Sequence, residues 1–182
     1  MIDLADVRLR KLEEYDVEEL YIFRNDAQVT QSLGGFSSGY SRKDLAEWID
    51  YHRTRHDEIL WAIASKSTDK CVGHVGLYKI DHRVAKAEFA IVIGSRDCQG
   101  KGVGRRVSTA ILDYGFRELR LNKISLSVLS ANAQARALYD SLGFRLEGQL
   151  RDEQYRGGEY QTVILMAMFA DHWKELNQGS TS

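Results

Sequence analysis

Apolar and polar residues alternate in Val7-Arg8-Leu9-Arg10-Lys11-Leu12, the period of a half-buried strand. From Glu14 to Asn25 the spacing changes: Val17, Leu20, Tyr21 and Phe23 repeat as on a helix. Gln28 to Tyr40 breaks the pattern with Gly34-Gly35 and Ser37-Ser38-Gly39. Ser41 with Asp44 three residues on marks a helix start, and that helix buries Leu45, Trp48, Ile49 and His52. Glu58 to Lys66, Cys71 to Ile80 and Ala85 to Ile93 follow as three strands of an antiparallel meander. Val103, Val107, Ala110, Ile111 and Tyr114 share one face of a helix that runs to Leu119. Lys123 to Leu129 alternates again, and Asn132 to Leu142 forms a helix stopped by Gly143. Phe144 to Tyr155 and Tyr160 to Phe169 read as two strands joined through Arg156-Gly157-Gly158-Glu159. The order β-α-α-β-β-β-α-β-α-β-β makes this an α/β chain with a mixed sheet. No composition break divides it, so one domain over 1–176 is expected, followed by a disordered tail over 177–182.

Composition narrows the class. A chain of 182 residues with 43% hydrophobic residues is long enough for one adequate core. A net charge of −1 gives no attraction to nucleic acid or to an anionic membrane surface. No apolar run reaches the ~18 residues of a membrane span, and the start shows no basic-then-apolar secretory signal. Cys71 and Cys98 are too few for a disulfide framework and lack metal-ligand spacing, which fits a reduced cytoplasm. The five histidines form no metal-like cluster, so no metal is expected, and His74, between Gly73 and Gly76, reads as structural.

The strand Ala87 to Gly94 leads through Asp97-Cys98-Gln99-Gly100-Lys101-Gly102-Val103-Gly104-Arg105-Arg106 into a helix. Such a junction holds phosphate, because a helix start has unpaired N–H groups and glycines let the backbone approach an anion. A P-loop would need Ser or Thr after Gly100-Lys101, and a dinucleotide fold would need Gly-x-Gly-x-x-Gly. Neither pattern is present. A plain glycine-rich turn is the bland alternative.

Gln99-x-x-Gly102-x-Gly104 resembles the pyrophosphate-binding loop of the GCN5-related N-acetyltransferases (GNAT), which bind acetyl-coenzyme A. A second motif of that family follows: Asn132-x-x-Ala135-x-x-Leu138-Tyr139-x-x-x-Gly143-Phe144. The resemblance runs from about Val7 to Phe169, nearest to the ribosomal-protein-alanine and spermidine acetyltransferases. It implies a single-domain fold with a mixed, mostly antiparallel central sheet flanked by helices, and acetyl-coenzyme A as co-substrate. It further implies that the backbone of Ile91, Val92 and Ile93 pairs with the pantetheine arm. The segment Cys98, Gln99, Gly100, Lys101, Gly102, Val103, Gly104 and Arg105 would surround the pyrophosphate, its N–H groups from Gln99 onward holding the anion. Asn132, Ala135 and Arg136 would complete the coenzyme site, although Asn132 also reads as an ordinary helix cap. A homodimer is a family habit.

Acetyl transfer to an amine needs a base for the ammonium, whose pKa is near ~10.4, and a proton for the leaving thiolate. Tyr139 shares a helical face with Asn132 and Ala135, and the family places the matching tyrosine beside the sulfur. Its alternative is a core tyrosine packed on Phe144. Glu88, alone among apolar neighbours in its strand, is the candidate base and an acceptor contact; its alternative is a surface pair with Lys79 or Lys86. Relatives also use ordered water for that step. Cys98 lacks the activating partner that a covalent intermediate would need, so direct transfer in a ternary complex is expected.

Phe36, Tyr40 and Tyr155 are the candidate acceptor walls, with Glu88 beside them. From Ala27 to Lys43 the chain has no acidic residue, a departure that argues against spermidine. Glu147, Asp152, Glu153 and Glu159 remain as cation contacts. Two acceptors stay in front: a small-molecule amine such as an amino sugar or a polyamine-like compound, and a protein N-terminus. A non-catalytic acyl-coenzyme A sensor is the reading of another class.

Overall fold

The computed structural model describes residues 1–31 and 39–178. Eight strands form one sheet: β1 (Ile2–Asp3), β2 (Val7–Arg10), β3 (Ile59–Ser65), β4 (Cys71–Asp81), β5 (Lys86–Ile93), β6 (Lys123–Leu129), β7 (Arg145–Arg156) and β8 (Glu159–Phe169). Their order is β1-β2-β3-β4-β5-β6-β8-β7. β5 pairs with β6 in parallel, and the other neighbours pair antiparallel. The mixed, mostly antiparallel sheet flanked by helices is thus the architecture expected of the chain.

Two apolar clusters lie against this sheet. Leu20 and Phe23 of α1 (Val17–Arg24), Val29 of α2 (Ala27–Gln31) and Leu45 and Ile49 of α3 (Arg42–Arg53) bury against Ala62, Cys71 and Val92. Val103, Val107, Ile111 and Leu112 of α4 (Val103–Asp113) join Tyr139 and Leu142 of α5 (Ala133–Leu142) in the larger cluster. The helix start at Ser41 is a reciprocal box: Ser41 Oγ accepts from the Asp44 N–H (3.1 Å) and Asp44 accepts from the Ser41 N–H (2.7 Å). Asp therefore closes the box as Glu would, because its shorter reach still meets the cap nitrogen. α5 starts and stops as its sequence requires, with Asn132 accepting from the Ala135 N–H at 3.1 Å and Gly143 at φ +95°.

Three elements depart from the sequence reading. The helix expected from Val103 to Leu119 is α-helical only to Asp113, and Tyr114–Glu118 widens into a π turn. Gly115 sits in that turn, where a Cβ would lie 2.7 Å from Ile124 Cδ1. α2 occupies the first residues of the stretch read as patternless, starting one residue before it. α6 (Ala170–Gln178) runs through the expected start of the tail at Asn177, whose side-chain amide donates back to the Trp173 carbonyl at 2.7 Å. Trp173, 5% exposed and 6.0 Å from the Phe116 ring, holds α6 to the core.

Candidate active site

β5 and β6 pair only at Lys86↔Lys123, Ala87↔Ile124 and Glu88↔Ser125. Beyond Glu88 each strand stays with its outer neighbour, β5 with β4 as far as Ile93↔Gly73 and β6 with β8 as far as Leu129↔Val163. The two therefore part and open a cleft of about 1120 Å³, lined by β5, the glycine loop, β6 and α5. Period-two geometry sorts the backbone groups of β5. The Ala85 carbonyl accepts from Asn122 and Lys123, and the Ala87 carbonyl from Ser125 Oγ, so odd-numbered residues point toward β6. Phe89 and Ile91 thus present their N–H and C=O to the cleft, whereas the Ile93 carbonyl already accepts from the Gln99 amide (3.1 Å). Val92 corrects the expectation: it faces β4 opposite His74, so its backbone is turned away from the cleft.

The loop after β5 makes a tight turn over Arg96–Cys98, then passes Gly100 (φ +71°) and Gly102 (φ +74°) into α4. Both angles fall in the left-handed region that only glycine adopts without strain. Here too an expectation is corrected, since the Gln99 N–H is used by the Arg96 carbonyl at 3.1 Å. The first intrahelical bond runs from Arg106 N–H to Gly102 C=O, leaving the N–H groups of Val103, Gly104 and Arg105 free at the positive end of α4. At Gly104 a Cβ would already touch Leu138 Cδ2 at 3.5 Å, so α4 and α5 pack closely there.

The basic side chains around the loop do not gather at the cleft. Arg105 lines the cleft but donates to Ser141 Oγ (2.6 Å) and the Ser141 carbonyl (3.2 Å), clipping α4 to α5. Arg106 is drawn to Asp6 (2.6 Å), and Arg136 donates to the Ser130 carbonyl (3.2 Å). Lys101 and Arg136 are not among the lining residues, whereas Cys98, Gln99, Gly100, Gly102, Val103, Gly104, Asn132 and Ala135 are.

Tyr139 is brought to the cleft wall by α5 and is 7% exposed. Its ring stands edge-on to Phe89 (6.3 Å) and Phe144 (5.7 Å), so the ring packs in the core while the residue lines the cleft. Burial alone pushes its phenol up to about 12. Glu88 also lines the cleft, but it is not a buried carboxylate. Its side chain is 49% exposed and accepts from Lys79 Nζ at 2.9 Å. Lys79, at φ +50°, sits where the β4–β5 register slips between Tyr78 and Asp81.

The expected acceptor walls fare differently. Phe36 lies outside the described residues. Tyr40 and Tyr155 are not among the cleft-lining residues: Tyr40 packs 5.5 Å from the Arg24 guanidinium, and Tyr155, 62% exposed, meets the Tyr160 ring edge-on at 5.0 Å. In their place Gln28 and Val29 of α2, Tyr78, Glu147 and Glu153 line the cleft. Arg156 holds the last hairpin against α2 by donating to the Thr30 (2.8 Å) and Gln31 (3.0 Å) carbonyls. Arg24 stands beside His74, Nη2 to Nε2 at 3.0 Å, a juxtaposition that no spacing in the sequence announces. Among the described residues no helix is long and apolar enough to cross a membrane, and no group of three or more His, Cys, Asp or Glu side chains is arranged to hold a metal ion.

The family model described as the acetyltransferase (GNAT) domain matches residues 6–145. The spermidine N(1)-acetyltransferase of Escherichia coli K12 is 34% identical over 164 residues, covering 90% of this chain and 86% of that protein. The Vibrio cholerae enzyme of the same name is 32% identical over 163 residues, covering 89% and 92%. A crystal structure of spermidine N-acetyltransferase from Vibrio cholerae in complex with CoA and spermine superposes with a TM-score of 0.82 at 29% identity, over 93% of this chain and 98% of that one. A family model that matches residues 6–145, with relatives 34% and 32% identical over 90% and 89% of the chain, means that this chain belongs to the acetyltransferase (GNAT) family.

Proposed function

We propose that this chain is an acetyl-coenzyme A-dependent N-acetyltransferase that acetylates a primary amine of a small polyamine-class acceptor by direct transfer. The observation that carries the reading is the parting of β5 and β6 over a helix start. It leaves a strand edge with free N–H and C=O groups, free helix N–H groups and a buried phenol in one cleft. An amide-rich arm can pair with Phe89, Ile91 and the Ile93 N–H as a strand would, and a diphosphate suits Val103, Gly104 and Arg105 at the α4 start. The coenzyme supplies the acetyl thioester.

Tyr139, protonated throughout the neutral range, offers its hydroxyl as donor to the sulfur. Glu88 or a water beside it takes the ammonium proton. Relatives named for spermidine, one of them bound to spermine, support a polyamine as acceptor. With no acid between Ala27 and Lys43, the positive charges of such an acceptor would fall to Glu88, Glu147 and Glu153, which line the cleft. The acetyltransferase domain spans 1–176, in the cytoplasm, as a homodimer; a one-chain mass by light scattering overturns the dimer.

The test is free-thiol release from acetyl-coenzyme A with spermidine, spermine, amino sugars and short peptides. Saturable release with the polyamines is expected. Release with peptide N-termini alone would replace the acceptor, and tight coenzyme binding with no release would favour a sensor.

A further inference from the structure

The Lys79 ammonium and the Glu88 carboxylate belong to residues that both line the cleft, and Nζ donates to Oε1 at 2.9 Å. Regular alternation would not bring them together. Tyr78 stands opposite Glu88 and shares its face of the sheet, so Lys79, one residue on, would point to the other face. Between Tyr78 and Asp81, however, β4 advances three residues while β5 advances two, from Glu88 to Lys86. Lys79 takes up the extra residue at φ +50°, in the left-handed region that residues with a Cβ rarely adopt. A bulge of this kind re-aims a side chain, and here it turns a lysine onto the face of Glu88.

The lysine nitrogen is thereby held at the apex of the cleft. Glu88, opposite Ser125, is the last residue of β5 that pairs with β6. Phe89 follows it, with its N–H and C=O turned to the cleft and its ring 6.3 Å from that of Tyr139. A primary amine thus sits on the candidate base, beside the strand edge that suits the pantetheine arm. Nothing locks it there, since the Lys79 side chain is 73% exposed. Lys86 and Lys123 also line the cleft but are placed differently. Lys123 donates to Glu147 at 2.6 Å with Nζ 5.5 Å from the Phe169 ring, and Lys86 stands opposite Asp81 at the start of β5.

We propose that Lys79 is a modification site: without an acceptor, the chain acetylates this lysine itself, in cis, and the acetylated side chain releases Glu88. The proposal rests on the reading of the cleft as the transfer site for acetyl-coenzyme A. Lys79 occupies the station on Glu88 that an acceptor's ammonium would take, so the two compete for it. In the self-reaction Nζ bonds to the acetyl carbon as the carbon–sulfur bond breaks. The ammonium gives up two protons, one to the sulfur and one through Glu88 to solvent. The products are an amide at Lys79 and free coenzyme A. The amide has no charge, so Glu88 loses its partner and becomes available to the cation of a polyamine.

The test is incubation of the protein with acetyl-coenzyme A and no amine, followed by peptide mass spectrometry. A parallel sample with spermidine is assayed for free thiol. One acetyl group is expected on Lys79, at a first-order rate independent of protein concentration. A held amine reacts as an intramolecular nucleophile, so Lys79 should outpace Lys86 and Lys123 at least about tenfold. Saturating spermidine should suppress the modification, and Glu88→Gln should slow it at least about tenfold by removing tether and base together. Lys79→Gln, uncharged as acetyl-lysine is, should lower the spermidine KM about two- to fivefold, the factor that one solvated ion pair is worth. Equal labelling of the three lysines overturns the proposal, as does labelling that rises with protein concentration or survives spermidine. So does an unchanged rate in Glu88→Gln, or a spermidine KM that Lys79→Gln fails to lower. Thiol release with spermidine while Lys79 stays unmodified overturns the self-acetylation and leaves the transferase reading standing. No release with any amine, together with an unmodified Lys79, removes both.

Discussion

Tyr139→Phe separates two roles that the buried phenol combines. The ring packs edge-on to Phe89 and Phe144, and phenylalanine keeps those contacts, so the fold should survive the change. The hydroxyl is what is lost. Burial raises this phenol from 10 to about 12 in the folded chain, while in the unfolded chain it titrates near its ordinary value. The folded state therefore holds its proton over a range in which the unfolded state loses it. Stability attributable to Tyr139 is complete below pH ~10 and falls as pH rises toward ~12. Two units at about 1.36 kcal/mol each make roughly 2.7 kcal/mol.

Urea unfolding of the wild-type and Tyr139→Phe proteins across pH 8 to 11.5 would read this directly. Other tyrosines, Tyr78 included, cancel in the difference. The variant should match the wild-type below pH ~9 to within about 1 kcal/mol and gain on it steadily above ~10. Turnover at neutral pH should meanwhile fall by roughly 10²-fold or more, with coenzyme affinity nearly unchanged, if the phenol serves the leaving sulfur. A constant stability difference across the pH range would refute the burial of the hydroxyl, and unchanged turnover would remove Tyr139 from the chemistry.

Gly102→Ala puts a Cβ at φ +74°, 3.1 Å from Arg106 Nη1. A loss of about 1 kcal/mol in urea unfolding and a coenzyme Kd raised roughly tenfold are expected, and unchanged affinity would dissociate the α4 start from the coenzyme. Glu88→Gln should cost less than about 0.5 kcal/mol of stability, because the pair with Lys79 is solvated. Its kcat/KM should drop roughly 100-fold if the carboxylate takes the amine proton, and a drop under threefold would leave that step to water. Trp173→Ala should cost about 3–5 kcal/mol, since it removes the buried anchor of α6. A loss below 1 kcal/mol would mean that α6 is dispensable to the core.

Elements with local causes were legible in the sequence. The Ser41–Asp44 box, the Asn132 cap, the Gly143 stop and the period of Lys123–Leu129 each depend on residues within a few positions of one another. The glycines of the loop were legible for the same reason. What the sequence hid was direction and distance. Arg105 and Arg106, next to the loop in sequence, turn to Ser141 and Asp6, partners 36 and 100 positions away. Tyr40 and Tyr155 have the right chemistry for acceptor walls, but α2 and the strands fill those places. Arg24, Trp48 and His74 come from α1, α3 and β4, so no spacing rule joins them. α6 was missed because one tryptophan in a polar run makes a weak periodic signal, and its burial depends on Phe116.

The cleft itself depends on pairing register, and that gives it a signature that hydrogen exchange can read. Ala90 and Val92 belong to the β4 ladder in the free protein, whereas Phe89, Ile91 and Ile93 turn their N–H groups to the cleft. A pantetheine arm that pairs as an added strand can protect only the second set. Coenzyme A at a hundred times its Kd should stabilise the fold by about 2.7 kcal/mol, through binding to the folded state alone. Much of the added exchange protection should then appear at Phe89, Ile91 and Ile93 and at the Val103–Arg105 helix start. Amides already in the ladder should slow only by the global increment. Equal slowing at odd and even positions of β5 would show that the coenzyme stabilises the domain without lying along this edge. The strand-pairing account of the site would then fail, even if binding and turnover were both confirmed.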